Sequence, residues 1–132
     1  MMGSAPASPA GSILAINGGS STLKFALFQT GAPLARALSG SIDRIGTPNG
    51  TFTWVHAGIG ERRTVSVPTH VACLELLVGC IKDHLVQHPL VAIGHRVVHG
   101  GRYRDPQLVT PIVMEELQRL CVYDPEHLPA EI

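Results

Sequence analysis

Ile-Leu-Ala-Ile-Asn-Gly-Gly-Ser-Ser-Thr-Leu-Lys-Phe-Ala-Leu-Phe, residues 13–28, holds most of what the sequence says about architecture and chemistry. Two apolar runs of strand length, Ile13–Ile16 and Phe25–Phe28, flank a short polar turn, which predicts a β-hairpin. A hairpin turn needs only Asn-Gly or Gly-Gly, yet this one adds Ser20, Ser21, Thr22 and Lys24. Glycines let backbone N–H groups come close to a ligand. Hydroxyls and an ammonium supply further donors to anionic oxygens. That set suits a nucleotide or acyl phosphate at the rim of a sheet, although a solvated polar hairpin explains the same composition. Neither G-x-x-x-x-G-K-[ST] nor G-x-G-x-x-G occurs, and those motifs open a helix, whereas the segment after this turn reads as a strand.

Outward from the hairpin, Gly31-Ala32-Pro33 is a turn and Leu34 to Ile45 alternates enough to predict a third strand. Gly46-Thr47-Pro48-Asn49-Gly50 breaks the chain. Thr51–His56 and Arg63–Val67 alternate around a glycine-containing connection, a second hairpin, in which the single tryptophan, Trp54, reads as packing. Thr69 to Val86 is the best helix. Leu74, Leu77, Val78, Ile81 and Leu85 form one apolar stripe, Thr69 is its cap and Pro89 ends it. Leu90–Gly94 is a continuous apolar run, expected to be a strand buried on both faces. A second helix is expected over Pro111–Leu120, after which the chain is expected to add no closing element. Strands, a helix, a buried strand and another helix make an α/β domain.

Composition narrows the function classes. The 132 residues fit one domain, with 45% apolar residues, 15% charged residues and zero formal net charge. A nucleic-acid binder carries a basic face, so that partner is disfavoured. No apolar run approaches the roughly 20 residues that span a bilayer. Met1 to Gly11 is rich in Ala, Ser, Pro and Gly and lacks both a basic and an apolar signal region, so it reads as a disordered tail. Cys73, Cys80 and Cys121 are odd in number and lack metal spacing. Cys73 and Cys80, seven apart on the helix, belong to one buried face, and a reducing cytoplasm fits them.

A family resemblance rests on two blocks. Asn17-Gly18-Gly19-Ser20-Ser21-Thr22-Leu23-Lys24 resembles the opening motif of acetate kinases and the related propionate and butyrate kinases. Gly94-His95-Arg96-Val97-Val98-His99-Gly100-Gly101 resembles the same family's His-Arg-x-Val-His-Gly-Gly segment, in the right order and at about the right distance. The resemblance implies the ribonuclease H-like fold of actin, sugar kinases and heat-shock ATPases, whose first three strands form an antiparallel meander. It implies reversible transfer of a phosphoryl group from ATP to acetate, or another short carboxylate such as propionate, with Mg²⁺. It also implies that residues 12–132 are an incomplete N-terminal domain. The family's catalytic aspartate, a later histidine and arginine, the adenosine-binding glycine motif and a glutamate on the magnesium side all fall beyond residue 132. A cytoplasmic homodimer is expected of the full-length relative, and negligible activity of this chain alone.

Residue by residue, the resemblance gives Arg96 contact with the substrate carboxylate and the moving phosphoryl group. It sets Asn17 beside Mg²⁺ and the phosphates and Lys24 on a nucleotide phosphate. Gly19, Ser20 and Thr22 line the phosphoryl site, and Val98 walls the pocket for the substrate's methyl group. Local chemistry leaves plainer readings open. Arg96 at the end of a buried strand calls for an anion, which a structural carboxylate also satisfies. Val98 fits a core, and Gly100 and Gly101 fit a turn. His95 and His99 are four apart but lie on a strand or loop, where that spacing does not converge two imidazoles on a metal. One departure stands out: where relatives have histidine before Asn/Gln-Pro, this chain has Tyr123 before Asp124-Pro125, with His127 out of register. The rivals are another ATPase or sugar kinase of the same superfold, and a non-catalytic phosphate-binding or interaction fragment.

Overall fold

The structure, a computed structural model, describes residues 11–123, 125 and 128–132. Residues 1–10 of the expected tail lie outside the described residues. Gly11 already belongs to the sheet margin: it is buried, its N–H donates to Thr30 Oγ1 at 3.0 Å, and its carbonyl accepts from the Thr30 N–H at 2.9 Å.

The opening hairpin forms as its sequence predicts, with β1 at Ser12–Gly18 and β2 at Leu23–Gln29 paired antiparallel. β3, Ala35–Asp43, continues the meander. β4, Gly50–His56, and β5, Ile59–Val65, form the second hairpin. Its turn, Ala57-Gly58, holds both residues at positive φ, 52° and 76°. That is the twist a two-residue hairpin requires. After β5 comes α1, His70–Gln87, and then β6, Leu90–Arg96, which returns parallel to β1. The sheet order is β5-β4-β3-β2-β1-β6. α2, Pro111–Leu120, and a four-residue turn of helix, α3 at Leu128–Glu131, follow.

The strands alternate, so one face of the sheet buries Leu14, Leu23, Phe25, Leu27, Leu38, Ile42 and Phe52, and α1 covers it with Cys73, Leu77 and Ile81. Each such side chain contributes about 1.5–3 kcal/mol when fully buried. Thr69 caps α1, its hydroxyl accepting from the Ala72 N–H at 3.2 Å. The helix stops where the His88 N–H returns to the His84 carbonyl and Pro89 follows. Trp54 packs on Phe52, ring centroids 4.7 Å apart, and the Arg63 guanidinium lies over both rings.

Three expectations need correction. The buried stripe of α1 is rotated from the expected one: Leu74 and Val78 are exposed, while Cys73 is fully buried and Leu76 and Cys80 pack partly against the core. β6 is an edge strand with Val91 60% and Ile93 58% exposed, so it is not buried on both faces. Among the described residues it pairs with β1 alone, and burial of an apolar run is decided by what lies on either side of it. After α2 the chain adds the short helix α3, which was not expected, and no further strand among the described residues. Leu128 of α3 is fully buried, and Val113 and Leu117 of α2 are buried as well.

Candidate functional site

The two sequence blocks meet at the ends of β1 and β6. Asn17 is in register with Lys24 on its antiparallel side and with Arg96 on its parallel side, so the three residues form one rung across three strands. Residues in register project to the same face of a sheet, and these alternate with the core residues Ile16, Leu23 and Phe25. The rung therefore stands on the face opposite α1, and all three residues are exposed. Here the sheet surface forms a shallow cavity of about 690 Å³. Small residues, Ala15, Ala26 and Gly94, line it with the hydroxyls of Ser39, Ser41 and Thr53. Lys24, Arg36 and Arg96 supply three cations to its lining, which contains no Asp or Glu. Cations gathered without carboxylates make a positive field that favours an anionic ligand.

Arg96 makes no ion pair among the described residues, so the structural salt bridge is not what holds it. Nor does burial of its strand demand an anion at Arg96, since β6 is an exposed edge. What remains is the convergence of Arg96 with Lys24 and Arg36. Arg36 was not singled out in the sequence. It joins the cavity because a register shift between Leu27 and Phe28 brings it opposite Phe28.

The turn from Gly18 to Leu23 has its own fastenings. The Gly19 N–H donates to the Thr22 carbonyl at 2.8 Å, and a Cβ on Gly19 would lie 2.7 Å from Thr22 Oγ1. The Ser21 carbonyl accepts from the Ile45 N–H at 2.9 Å. The Gly19 carbonyl accepts from His70 Nε2 at 2.7 Å, a contact across 51 residues that no sequence pattern announces. Gly19, Ser20 and Thr22 are thus held in a closed turn at the end of the hairpin, next to the rung rather than inside the cavity lining.

After Arg96 the structure favours the plainer readings of several residues. The Gly101 N–H donates to His99 Nδ1 at 3.0 Å, with Gly101 at φ 62°. A Cβ on Gly101 would meet Leu120 of α2 at 2.7 Å, so this glycine serves a turn packed on a helix. His95 Nδ1 donates to the Arg96 carbonyl at 2.7 Å. The two histidines thus take backbone partners, and no group of three metal-ligating side chains occurs among the described residues. Arg102 and the Tyr103 hydroxyl both reach Glu116 at 2.9 Å, which ties this loop to α2. Between loop and helix lies a cavity of about 650 Å³ lined by Val97, Gly100 and Met114. Val98 is 42% exposed and lines neither cavity. Tyr123 is 78% exposed, and Asp124 and His127 lie outside the described residues.

A magnesium ion takes one or two protein oxygens and completes its octahedron with water and substrate phosphate. Asn17 offers one neutral oxygen, and because Lys24 and Arg96 flank it, a Mg²⁺ ion would come there only with its charge offset by substrate phosphate. The described residues offer no acidic cage that would hold the ion by itself.

Comparison with known proteins agrees with the motifs. Residues 12–132 match the model of the acetokinase family. The acetate kinase of Leifsonia xyli is 37% identical over 124 residues, covering 91% of this chain and 31% of that protein. The acetate kinase of Deinococcus radiodurans is 38% identical over 120 residues, 90% of this chain and 30% of that protein. Among solved structures, a propionate kinase from Francisella tularensis superposes with a TM-score of 0.80 at 30% identity, over 92% of this chain and 31% of its own. Porphyromonas gingivalis acetate kinase superposes with a TM-score of 0.81 at 24% identity, over 92% and 32%, a likeness of fold. The chain spans about a third of the length of the curated relatives it matches, and its α/β architecture is the ribonuclease H-like one those structures share. With a family match over nearly all its length, the chain belongs to the acetokinase family.

Proposed function

We propose that this chain carries the phosphoryl- and carboxylate-gripping part of an acetate kinase-type phosphotransferase. The reaction is reversible in-line transfer from ATP to a short carboxylate, giving ADP and acyl phosphate. The observation that supports it is the rung of Lys24, Asn17 and Arg96 beside a glycine-hydroxyl turn, in a cavity lined by three cations and no carboxylate. Phosphoryl transfer depends on positioning and on neutralising charge spread over the equatorial oxygens. In this reading Arg96 holds the carboxylate and the moving phosphoryl group, and Lys24 a nucleotide phosphate. Gly19, Ser20 and Thr22 present donors to phosphoryl oxygens. Asn17 offers one oxygen to the Mg²⁺ that arrives with the nucleotide, where the metal supplies charge neutralisation. Val98 is kept as a wall of the acyl pocket, on the strength of the motif alone. A homodimer and a cytoplasmic setting belong to the same proposal. No described helix is long and apolar enough to cross a membrane.

Because the chain spans 31% of its relatives' length, a second reading is a phosphate-binding part that performs no turnover by itself. Titration calorimetry with Mg-ADP, Mg-ATP and acetyl phosphate, alongside a hydroxamate assay for acyl phosphate made from acetate and ATP, separates the two. Binding with no turnover supports the gripping part alone. Turnover above the blank means the residues present suffice. Absence of binding to all three ligands overturns the proposal.

A further inference from the structure

Resting on that reading, we propose that His70 is a positioning residue that aims the backbone amide of Ser20 at the phosphoryl ligand. The only cis peptide among the described residues is Ala32-Pro33, so the Gly19–Ser20 and Ser21–Thr22 peptides are trans. In a trans peptide the C=O and the following N–H point in opposite directions. The Gly19 carbonyl is drawn to His70 Nε2 at 2.7 Å, and the Ser21 carbonyl to the Ile45 N–H at 2.9 Å. The Ile45 bond sets the Thr22 N–H, and holding the Gly19 carbonyl at the start of α1 turns the Ser20 N–H away from that helix. That is the side on which Asn17, Lys24 and Arg96 stand.

Neither amide has a hydrogen-bond partner among the described residues, and Ser20 is exposed. An unpaired backbone N–H on the side of the cations is a further donor for an anion. The Ile45 anchor is backbone to backbone and independent of side chain. The His70 anchor is the only side-chain fastening of the turn among the described residues. A carbonyl only accepts, so Nε2 must carry the proton and Nδ1 is free to be neutral. His70 opens α1, directly after the Thr69 cap, so the helix body that packs on the core fixes where the imidazole stands. Through His70 the rigid core sets the aim of a turn whose other described anchor outside its own hairpin is the Ile45 backbone bond.

The test uses the ¹⁵N-labelled chain, with His70→Ala and His70→Gln as variants and Mg-ADP as probe. In the parent chain the proton is expected on Nε2, seen in the imidazole nitrogen correlations. The backbone order parameter at Ser20 is expected near the rigid value of about 0.85. His70→Ala should lower it toward 0.6 or below and weaken Mg-ADP at least fivefold, while the melting temperature and the Leu27 and Leu77 core signals hold. His70→Gln, whose amide N–H can reach the same carbonyl, should restore most of both. A proton on Nδ1, or turn order and Mg-ADP affinity unchanged in His70→Ala, would overturn the assignment. If the parent chain binds none of Mg-ADP, Mg-ATP and acetyl phosphate, the phosphotransferase reading fails, and the order parameters and tautomer still decide whether His70 aims the turn.

Discussion

Asn17 and Arg96 face one another across the parallel pairing of β1 and β6, although 79 positions separate them in the chain. The relationship turns two short motifs into one surface, because Lys24 completes the same rung from β2. The chemistry is carried by sheet register, which is more rigid than a loop. Register is fixed by the core face: Leu14, Leu23 and Phe25 must point at α1, so Asn17, Lys24 and Arg96 must point away.

The first prediction follows from that division of faces. Arg96→Ala and Lys24→Ala remove exposed cations that touch no core residue, so thermal stability should move by less than about 0.5 kcal/mol. Binding should respond strongly. A charge-assisted hydrogen bond is worth about 1.5–3 kcal/mol, or roughly ten- to hundredfold in affinity. Calorimetry with Mg-ADP and acetyl phosphate should show a loss of that size in each variant. Arg96→Lys should recover only part of it, since an ammonium cannot make the paired contacts of a guanidinium. Full affinity in Arg96→Ala would remove Arg96 from the site.

The cavity floor gives a second prediction, from two glycines in different surroundings. A Cβ on Gly40 would fall onto the Thr53 carbonyl and within 2.6 Å of the Phe25 ring. Neither can yield, because one belongs to the β3–β4 ladder and the other to the core. Gly40→Ala should cost several kcal/mol by the strain of forcing backbone and core apart. A Cβ on Gly94 meets nothing within 4 Å. Gly94→Ala should keep the melting temperature within a few degrees and weaken only ligands that lie on the floor. Paired thermal melts and titrations check both; equal melting temperatures would contradict the packing.

Local pattern carried the elements well and their surroundings poorly. The hairpin at 13–28, the second hairpin and the helix at Pro111–Leu120 follow from alternation, turn chemistry and caps, which are properties of neighbours in sequence. The exposure of β6 is not such a property. Val91 and Ile93 look like a buried run because their type is apolar, but burial depends on a covering layer that the described residues do not supply. The same holds for α1, where Leu74 and Val78 sat in an acceptable stripe until the sheet selected Cys73, Leu77 and Ile81. At the site, Asn17, Lys24 and Arg96 were legible as motif members. Arg36 enters through a bulge and His70 through a contact over 51 residues, and neither leaves a local trace.

The β4–β5 turn offers a third prediction. Ala57 sits at φ 52°, the left-handed region that costs an L-residue with a Cβ about 1–2 kcal/mol. Asn tolerates that region and Asn-Gly is the preferred pair for this two-residue turn. Ala57→Asn should therefore stabilise the fold by about 0.5–1 kcal/mol without touching the site, read as a rise in urea midpoint at unchanged slope. A fall in midpoint would mean the turn is not held as described.

The last prediction concerns acid. His84 and His88, one turn apart at the end of α1, stack with ring centroids 4.9 Å apart. His84 Nε2 and His88 Nδ1 are buried without a hydrogen-bond partner among the described residues. Burial pushes the His84 pKa down, and the neighbouring imidazoles of His88 and His56 push it further the same way whenever they charge. The fold therefore prefers His84 neutral, whereas in the unfolded chain it takes a proton near its ordinary pKa of about 6.5. Below that value the unfolded state binds more protons than the folded state, so stability falls as pH falls. The contribution is fully present above about pH 6.5 and is lost as the pH drops through the lowered folded value. Melting temperatures should be flat from pH 8 to 7 and decline from pH 6.5 to 5. His84→Gln, which cannot titrate, should flatten that decline relative to the parent. Because the pair lies at the far end of α1 from His70, the acid loss should appear as fraying of the last helical turn before the turn at Gly19–Thr22 loosens. Amide exchange at Val86 and Gln87 rising ahead of that at Gly19 would show this order, and the reverse order would place the acid-sensitive group elsewhere.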